Sequence, residues 1–309
     1  MFRRFLTGIA ALSLFASMAS ADPSVDEIIA KNVQARGGMD KLKAVNSIRL
    51  HGKMVMGQGM EAPFMVMQKR PKMTRTEFTI QGMTGMQVYD GKNAWMVMPF
   101  MGKKDPEMMP AEQAQMLDEQ ADMDGPLVDY KAKGNKVELL GKEQVEGADA
   151  YKLKVTLKNA QTRTIYLDAE SGLEVKTEAK RNIRGSEVEG ETFLSDYKEV
   201  KGMMMPFTME SGAKGGSMRQ KMVIDSIETN VSLADSLFLM PAGTKPAAAL
   251  ESNKAAVKDA VKGAAKGEAK ADASAGAKDD ATMKTAIAGA DSSAATATKP
   301  TKTAKAKKP

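Results

Sequence analysis

A period-two alternation constrains this chain more than any other feature. In YKLKVTL, residues 151–157, Tyr151, Leu153, Val155 and Leu157 point one way while Lys152 and Lys154 point the other. That is the pattern of a strand with one buried and one wet face. The same beat runs through SIRLHGKMVM (47–56), where Ile48, Leu50, Met54 and Met56 share a face opposite Arg49, His51 and Lys53. It predicts strands over 62–70, 72–81, 86–90 and 94–98, the last two joined by the hairpin dipeptide Asp90-Gly91. It returns at 163–168, 173–180, 191–200, 205–212 and 217–230, with glycine-containing turns between. Alternating strands in sequence order dictate an antiparallel meander. The expected fold is mainly β with some α: a curved, open antiparallel sheet, or half-barrel, covered by helices.

Those helices are few. In SVDEIIAKNVQARGG (24–38), Ser24 and Glu27 form a capping box, Ile28, Ile29 and Val33 make an apolar stripe, and Gly37 supplies the stop. MDKLKAV (39–45) predicts a second short helix, and 111–121 a third within an irregular excursion over 99–131. One sheet face should be wet, the other closed by these helices around an apolar cavity. Methionine fits such a cavity. The chain has 26 methionines against one tryptophan and nine phenylalanines, and fifteen of them fall between Met54 and Met123. Methionine is unbranched and polarizable, so it suits a deformable pocket, although it also serves as a gap-filler in an ordinary core.

The two ends are separable. Residues 1–21 have a basic start, an apolar run and small residues at Ala19 and Ala21, the pattern of a signal peptide cleaved near Asp22. From about residue 246 to 309 the chain is Ala/Lys-rich and almost without large apolar residues, so a disordered tail is expected. The tail's 12 lysines and 7 acids, with the leader's two arginines, account for the formal charge of +6 and leave residues 22–245 near neutral. A nucleic-acid partner is therefore not expected for the 22–245 domain. With no cysteine there is neither a disulfide framework nor a thiolate site.

Catalytic motifs are missing as well. No G-x-S-x-G, H-E-x-x-H or phosphate-loop pattern occurs, and the lone histidine, His51, sits on the polar side of its strand. The expectation is a protein that is not an enzyme and needs no cofactor. The pairs Met54/Met56, Met65/Met67 and Met96/Met98 and the run Met203, Met204, Met205 offer thioethers, which as soft ligands select Cu(I). A soft-metal protein is thus an alternative. A structural cell-envelope protein whose tail contacts the wall is another.

Several short motifs occur in a meaningful order. Lys69-Arg70-Pro71 closes a strand, then come Asp90-Gly91-Lys92, Trp95 and Pro99-Phe100. Tyr197-Lys198-Glu199-Val200-Lys201-Gly202 leads to Pro206, and Leu237-Phe238-Leu239-Met240-Pro241 ends the patterned region. This series resembles the LolA-like periplasmic carriers that sort outer-membrane lipoproteins, and their broader relatives, over nearly all of 22–245. The resemblance implies an incomplete barrel with a helical lid over an acyl-chain cavity, and it gives Arg70 a part in cargo release. It implies lipid or lipoprotein acyl chains as the partner, membrane-bound loading and receiving proteins, a periplasmic location and a monomer. The residues expected at the ligand are Arg70, Met54, Met56, Met65, Met67, Trp95, Met96, Met98 and Phe100. The tail and the methionine load depart from the family pattern.

Overall fold

The computed structural model describes residues 23–55, 59–183 and 186–246. The expected leader, Met56 and the expected tail from residue 247 onward lie outside the described residues. Ser24 caps α1 (Val25–Ala35) through the predicted reciprocal box, its hydroxyl accepting from the Glu27 amide while the Glu27 carboxylate accepts from the Ser24 amide. Gly37, at φ +119°, lets the chain leave the helix, and a Cβ there would come within 2.5 Å of the Gly202 carbonyl oxygen. Glycine is required at this position by conformation and by space. The short helix α2 (Met39–Ala44) follows.

The first run of strands is β1 (Ser47–Val55), β2 (Glu61–Lys69), β3 (Met73–Ile80), β4 (Met83–Tyr89), β5 (Ala94–Met98) and β6 (Lys103–Met108). Helix α3 (Ala111–Gln120) separates it from the second run. That run is β7 (Lys136–Val145), β8 (Ala148–Thr156), β9 (Thr162–Asp168), β10 (Glu174–Ile183), β11 (Ser186–Val200), β12 (Met203–Ala213) and β13 (Arg219–Thr229). All belong to one 13-stranded sheet in the order β6-β5-β4-β3-β2-β1-β13-β12-β11-β10-β9-β8-β7. Every pairing in it is antiparallel, and β1 on β13 joins the two runs. The sheet is open, ending at β6 and β7.

The edge strand β6 escapes the alternation rule. The segment 103–108 reads KKDPEM, which the sequence places in the irregular excursion. As an edge strand it needs one hydrogen-bonded neighbour only, so Pro106 is tolerated there.

The sheet is curved around its helices. Leu117 of α3 packs with Tyr89 of β4 and Ala94 of β5, while Glu119 of the same helix pairs with Arg163 of β9. In a flat sheet β4 and β9 would stand on the order of 40 Å apart at about 4.8 Å per strand. A ten-residue helix is about 15 Å long, so the strands must wrap toward it. All three helices therefore lie on the concave face. Ile28 and Ile29 of α1 pack on Leu153, Val155, Ile165 and Leu167. Leu42 of α2 packs with Ile48 and Met203, and Val128 completes that cluster.

The other face is not simply wet, as the alternation suggests. Beyond β13, residues 231–238 fold back over β2–β5 as a strap. Leu233 and Phe238 bury Met67, Val88 and Trp95, with Met65, Met73, Met86 and Val97 at the margin. The strap continues to the edge of β6, where the Lys245 amide donates to Pro106 O at 2.9 Å and the Met108 amide to Lys245 O at 2.8 Å. This parallel bridge covers one of the sheet's two edges.

Candidate functional site

The concave face has two regions. In the first, Arg70 ties the helical layer to the sheet. Its Nε donates to Val45 O at 2.7 Å and Nη2 to Leu42 O at 3.1 Å. These carbonyls stand at the C-terminal end of α2, where a helix has no partners of its own and cations are favoured. The same guanidinium grips Asp124 with both ends of the fork, Nη2 to Oδ1 at 2.5 Å and Nη1 to Oδ2 at 3.0 Å. Asp124 belongs to the loop after α3, and its side chain is 5% exposed. Lys43 of α2 adds a 2.7 Å contact to the same carboxylate, and Arg36, just past α1, donates to the Asp124 carbonyl at 3.0 Å. Burial alone would raise the Asp124 carboxyl, but the hydrogen bonds from Arg70 and Lys43 outweigh it and hold the pKa at about 2. One carboxylate thus joins β2, α2 and the long loop, with α1 attached through its backbone.

Helix α3 is tied down separately. Asp118 accepts from Tyr89 Oη at 2.9 Å and pairs with Lys72 at 2.9 Å. Burial, then the neighbouring Asp118, push the Tyr89 hydroxyl up to about 12, so it stays a donor. Gln68 Nε2 also donates to Gln120 O at 2.7 Å.

The second region is apolar and has no helix over it. Met54, Ala62, Phe64, Phe78, Ile80, Met98, Phe207 and Ile224 form one buried cluster. Leu50, Val66, Met96, Phe100, Val200, Met209, Met222 and Ile227 are partly buried against it. Every member lies on a strand except Phe100, in the one-turn helix after β5. Met54 stands one residue from the end of β1, Ala62 one from the start of β2, and Ile80 and Met98 close β3 and β5. The cluster therefore abuts the end of the sheet that carries the β1–β2, β3–β4, β5–β6 and β12–β13 turns. Its side chains fill the space where the sequence predicts a cavity: Ala62, Phe64 and Met98 are 0%, 4% and 1% exposed. A void of about 40 Å³ lies at the other region, beside Leu42, Ile48, Met123, Met203, Arg36 and Arg70.

The register divides the residues predicted at the ligand. Met54 faces Ala62 across the β1–β2 ladder, and Phe64 faces Phe78 across β2–β3, all on the concave face. Met96 and Met98 of β5 share that side, and the Phe100 ring lies 5.6 Å from the Phe78 ring. Met65 and Met67 stand opposite His51 and Arg49, on the other face, and Trp95 stands opposite Val88 under the strap. One cavity holding them all is not what this register builds. Met65, Met67 and Trp95 are packing for the strap, and the Trp95 indole donates to Phe238 O at 3.4 Å. The methionine pairs are split likewise, Met65/Met67 on one face and Met96/Met98 on the other. His51 is exposed.

Sequence reasoning missed Asp124, Arg36 and the strap. The acidic run ADMDGP (121–126) was a visible signal for a buried counter-ion to Arg70, but an acid-rich loop offers several candidates and the spacing selects none. Among the described residues no helix is long and apolar enough to cross a membrane.

No family model matches the chain, and no curated protein matches its sequence. Solved structures are similar in fold. One is a DUF1329 family protein from Desulfovibrio piger, 14% identical, with 70% of this chain and 97% of that one covered at a TM-score of 0.49. Another is a LolA superfamily protein from Nitrosomonas europaea, 14% identical, with 69% of this chain and 96% of that one covered at a TM-score of 0.49.

Proposed function

We propose that this protein is a non-enzymatic periplasmic carrier for the acyl chains of lipids or lipoproteins, and that the turn-end half of the concave face receives them. The observation that carries this reading is the apolar cluster with no helix over it. Five of its side chains are methionines: Met54, Met96, Met98, Met209 and Met222. An acyl chain is flexible and apolar, and a binding wall of unbranched thioether side chains can re-pack around it without forcing a strained rotamer. The packed cluster is the empty state. Cargo enters by displacing the partly buried Met96, Met209 and Met222 while the buried floor of Ala62, Phe64 and Met98 stays in place. Arg70 holds the helical layer shut in the empty state. When cargo extends along β2 from the turn end to the helical layer, the Arg70 donors now on Leu42 O and Val45 O can pass to an ester carbonyl, so Arg70 couples the position of that layer to occupancy. Delivery and receipt at the membranes fall to separate partner proteins, and the carrier itself is a monomer.

Lipid extraction and mass spectrometry of the exported protein, purified without detergent, test the proposal. Acyl species near one per protein are expected, and Arg70→Leu should retain them through a release assay. A protein free of lipid that also fails to take up a fluorescent fatty acid overturns the reading.

A further inference from the structure

The apolar cluster ends where the chain makes four turns, and each turn exposes a methionine. Met60 precedes β2, Met83 opens β4, Met101 precedes β6 and Met218 precedes β13. They are 53%, 36%, 43% and 64% exposed. Among the described residues eight large hydrophobic side chains are exposed, so half of them stand at this one end. The strand order puts the β5–β6, β3–β4, β1–β2 and β12–β13 turns next to one another along the sheet. Two strands separate each methionine from the next, about 10 Å per step. The result is a row of apolar tips on the order of 30 Å long, at the end of the half-barrel where no helix covers the apolar interior.

Most of the charge beside the tips is paired within the fold, and one cation is left over. Across residues 59–61, 80–84, 99–105 and 213–221 the bases are Lys103, Lys104, Lys214, Arg219 and Lys221, and the acids are Glu61 and Asp105. Both acids are paired, Glu61 with Lys53 at 2.8 Å and Asp105 with Lys245 at 2.7 Å, and so are four of the bases: Lys103 with Glu107, Lys214 with Glu178 and Glu189, Arg219 with Glu146 and Glu191, and Lys221 with Glu210. Lys104 is exposed and has no ion pair among the described residues. The apolar tips match the interface of a bilayer, which accepts such side chains, while the unpaired Lys104 beside them meets an anionic headgroup.

We infer that the methionine-tipped turn end is a docking surface for an anionic lipid bilayer. Four methionines without a tryptophan or phenylalanine among them give shallow, reversible contact rather than an anchor, which a shuttling protein requires. Docking would place the open end of the apolar cluster against the membrane, so that an acyl chain crosses little water between the two. The inference concerns the surface and not the cargo, and the two can fail separately: a protein can bind vesicles and carry nothing, or carry a lipid handed over by a protein and ignore vesicles.

The test is vesicle co-sedimentation of the full exported chain. Phosphatidylglycerol/phosphatidylethanolamine vesicles are compared with phosphatidylcholine vesicles at low and high salt. Two variants are made in the full chain: Met60→Ser, Met83→Ser, Met101→Ser and Met218→Ser together, and Lys104→Glu. Exposed side chains are changed, so the thermal midpoint should stay near that of the parent. Expected results are preferential binding to the anionic vesicles, a loss of about tenfold or more in the quadruple variant, and a smaller, salt-sensitive loss in Lys104→Glu. Two results overturn the proposal: no binding to anionic vesicles, or binding that the quadruple variant retains in full. The second would assign membrane affinity to the lysine-rich segment after residue 246.

Discussion

The two regions of the concave face are built on opposite principles. Around Asp124 the layers are held by directional contacts. A carboxylate with a 5% exposed side chain receives Arg70 and Lys43, and helix-end carbonyls receive the other side of the same guanidinium. At the turn end the contacts are mainly apolar, among Met54, Met98, Phe64 and Phe207, with only a weak Gln220 contact to the Met54 sulfur at 3.8 Å and Lys198 over the Phe207 ring at 4.6 Å. A buried ion pair has one acceptable geometry, since a displaced partner leaves a desolvated charge behind. A methionine-rich apolar cluster has many geometries of similar energy. Uniqueness is thus concentrated in one half of the face and adaptability in the other, which is the division a carrier needs between a lid that must shut and a site that must accommodate.

The sharpest way to break this division is Asp124→Ala, which takes from Arg70 its only ion pair among the described residues, while Lys43 keeps Asp129 at 2.7 Å. A loss of about 3–5 kcal/mol is expected, read as a lower urea midpoint. A loss under about 1 kcal/mol would mean that the helical layer is held by apolar packing after all. On the apolar side, Met98→Ala should cost roughly 2–5 kcal/mol because Met98 is 1% exposed, while Met98→Leu should cost less than about 1.5 kcal/mol. Equal losses in the two variants would show that this cluster is as geometrically demanding as the ion pair.

Acid offers a milder probe. The Asp124 carboxyl titrates near 2 in the folded protein against an ordinary 3.8. Its stabilising share is therefore complete above pH 3.8 and is lost as the pH falls toward 2, on the order of 2 kcal/mol. Thermal midpoints should fall through that window in the parent, and Asp124→Asn should flatten the fall. The smallest expected effect is at the rim of the apolar region, where Lys221 and Glu210 pair at 3.2 Å with side chains 47% and 33% exposed. Lys221→Ala should change stability by less than about 1 kcal/mol. A larger loss would place directional contacts where none are assigned.

Much of the fold can be read from the chain because the alternation is local. Each one-face-buried strand announces itself, as YKLKVTL does for β8, and the Ser24/Glu27 box announces α1. What stayed hidden depends on partners far apart in sequence. The edge strand β6 lacks a wet-and-dry contrast, and β7 keeps its alternation only up to the irregularity after Leu139. Met65 and Met67 alternate as cleanly as Met96 and Met98, and only the strap, more than 160 residues later, decides that their side is also buried. Arg70 was legible as a strand-end cation in a motif. Its acceptor was not, because ADMDGP contains two aspartates and the fold selects Asp124 for the fork while Asp122 pairs with Lys133.

One further consequence follows from how the sheet ends. An open antiparallel sheet has two edges, and pairing the β6 edge of one molecule with the β7 edge of the next would propagate without limit into a filament. Growth of that kind needs both edges free. In this protein the chain covers β6 with its own residue 245, whereas β7 is guarded only by the irregularity around Gly141 and by charges. Closing a single edge is enough, since each molecule then terminates any stack it joins. The strap is in this sense a chain terminator, and a protease cut between residues 238 and 245 would leave a molecule with both edges free and competent to polymerise.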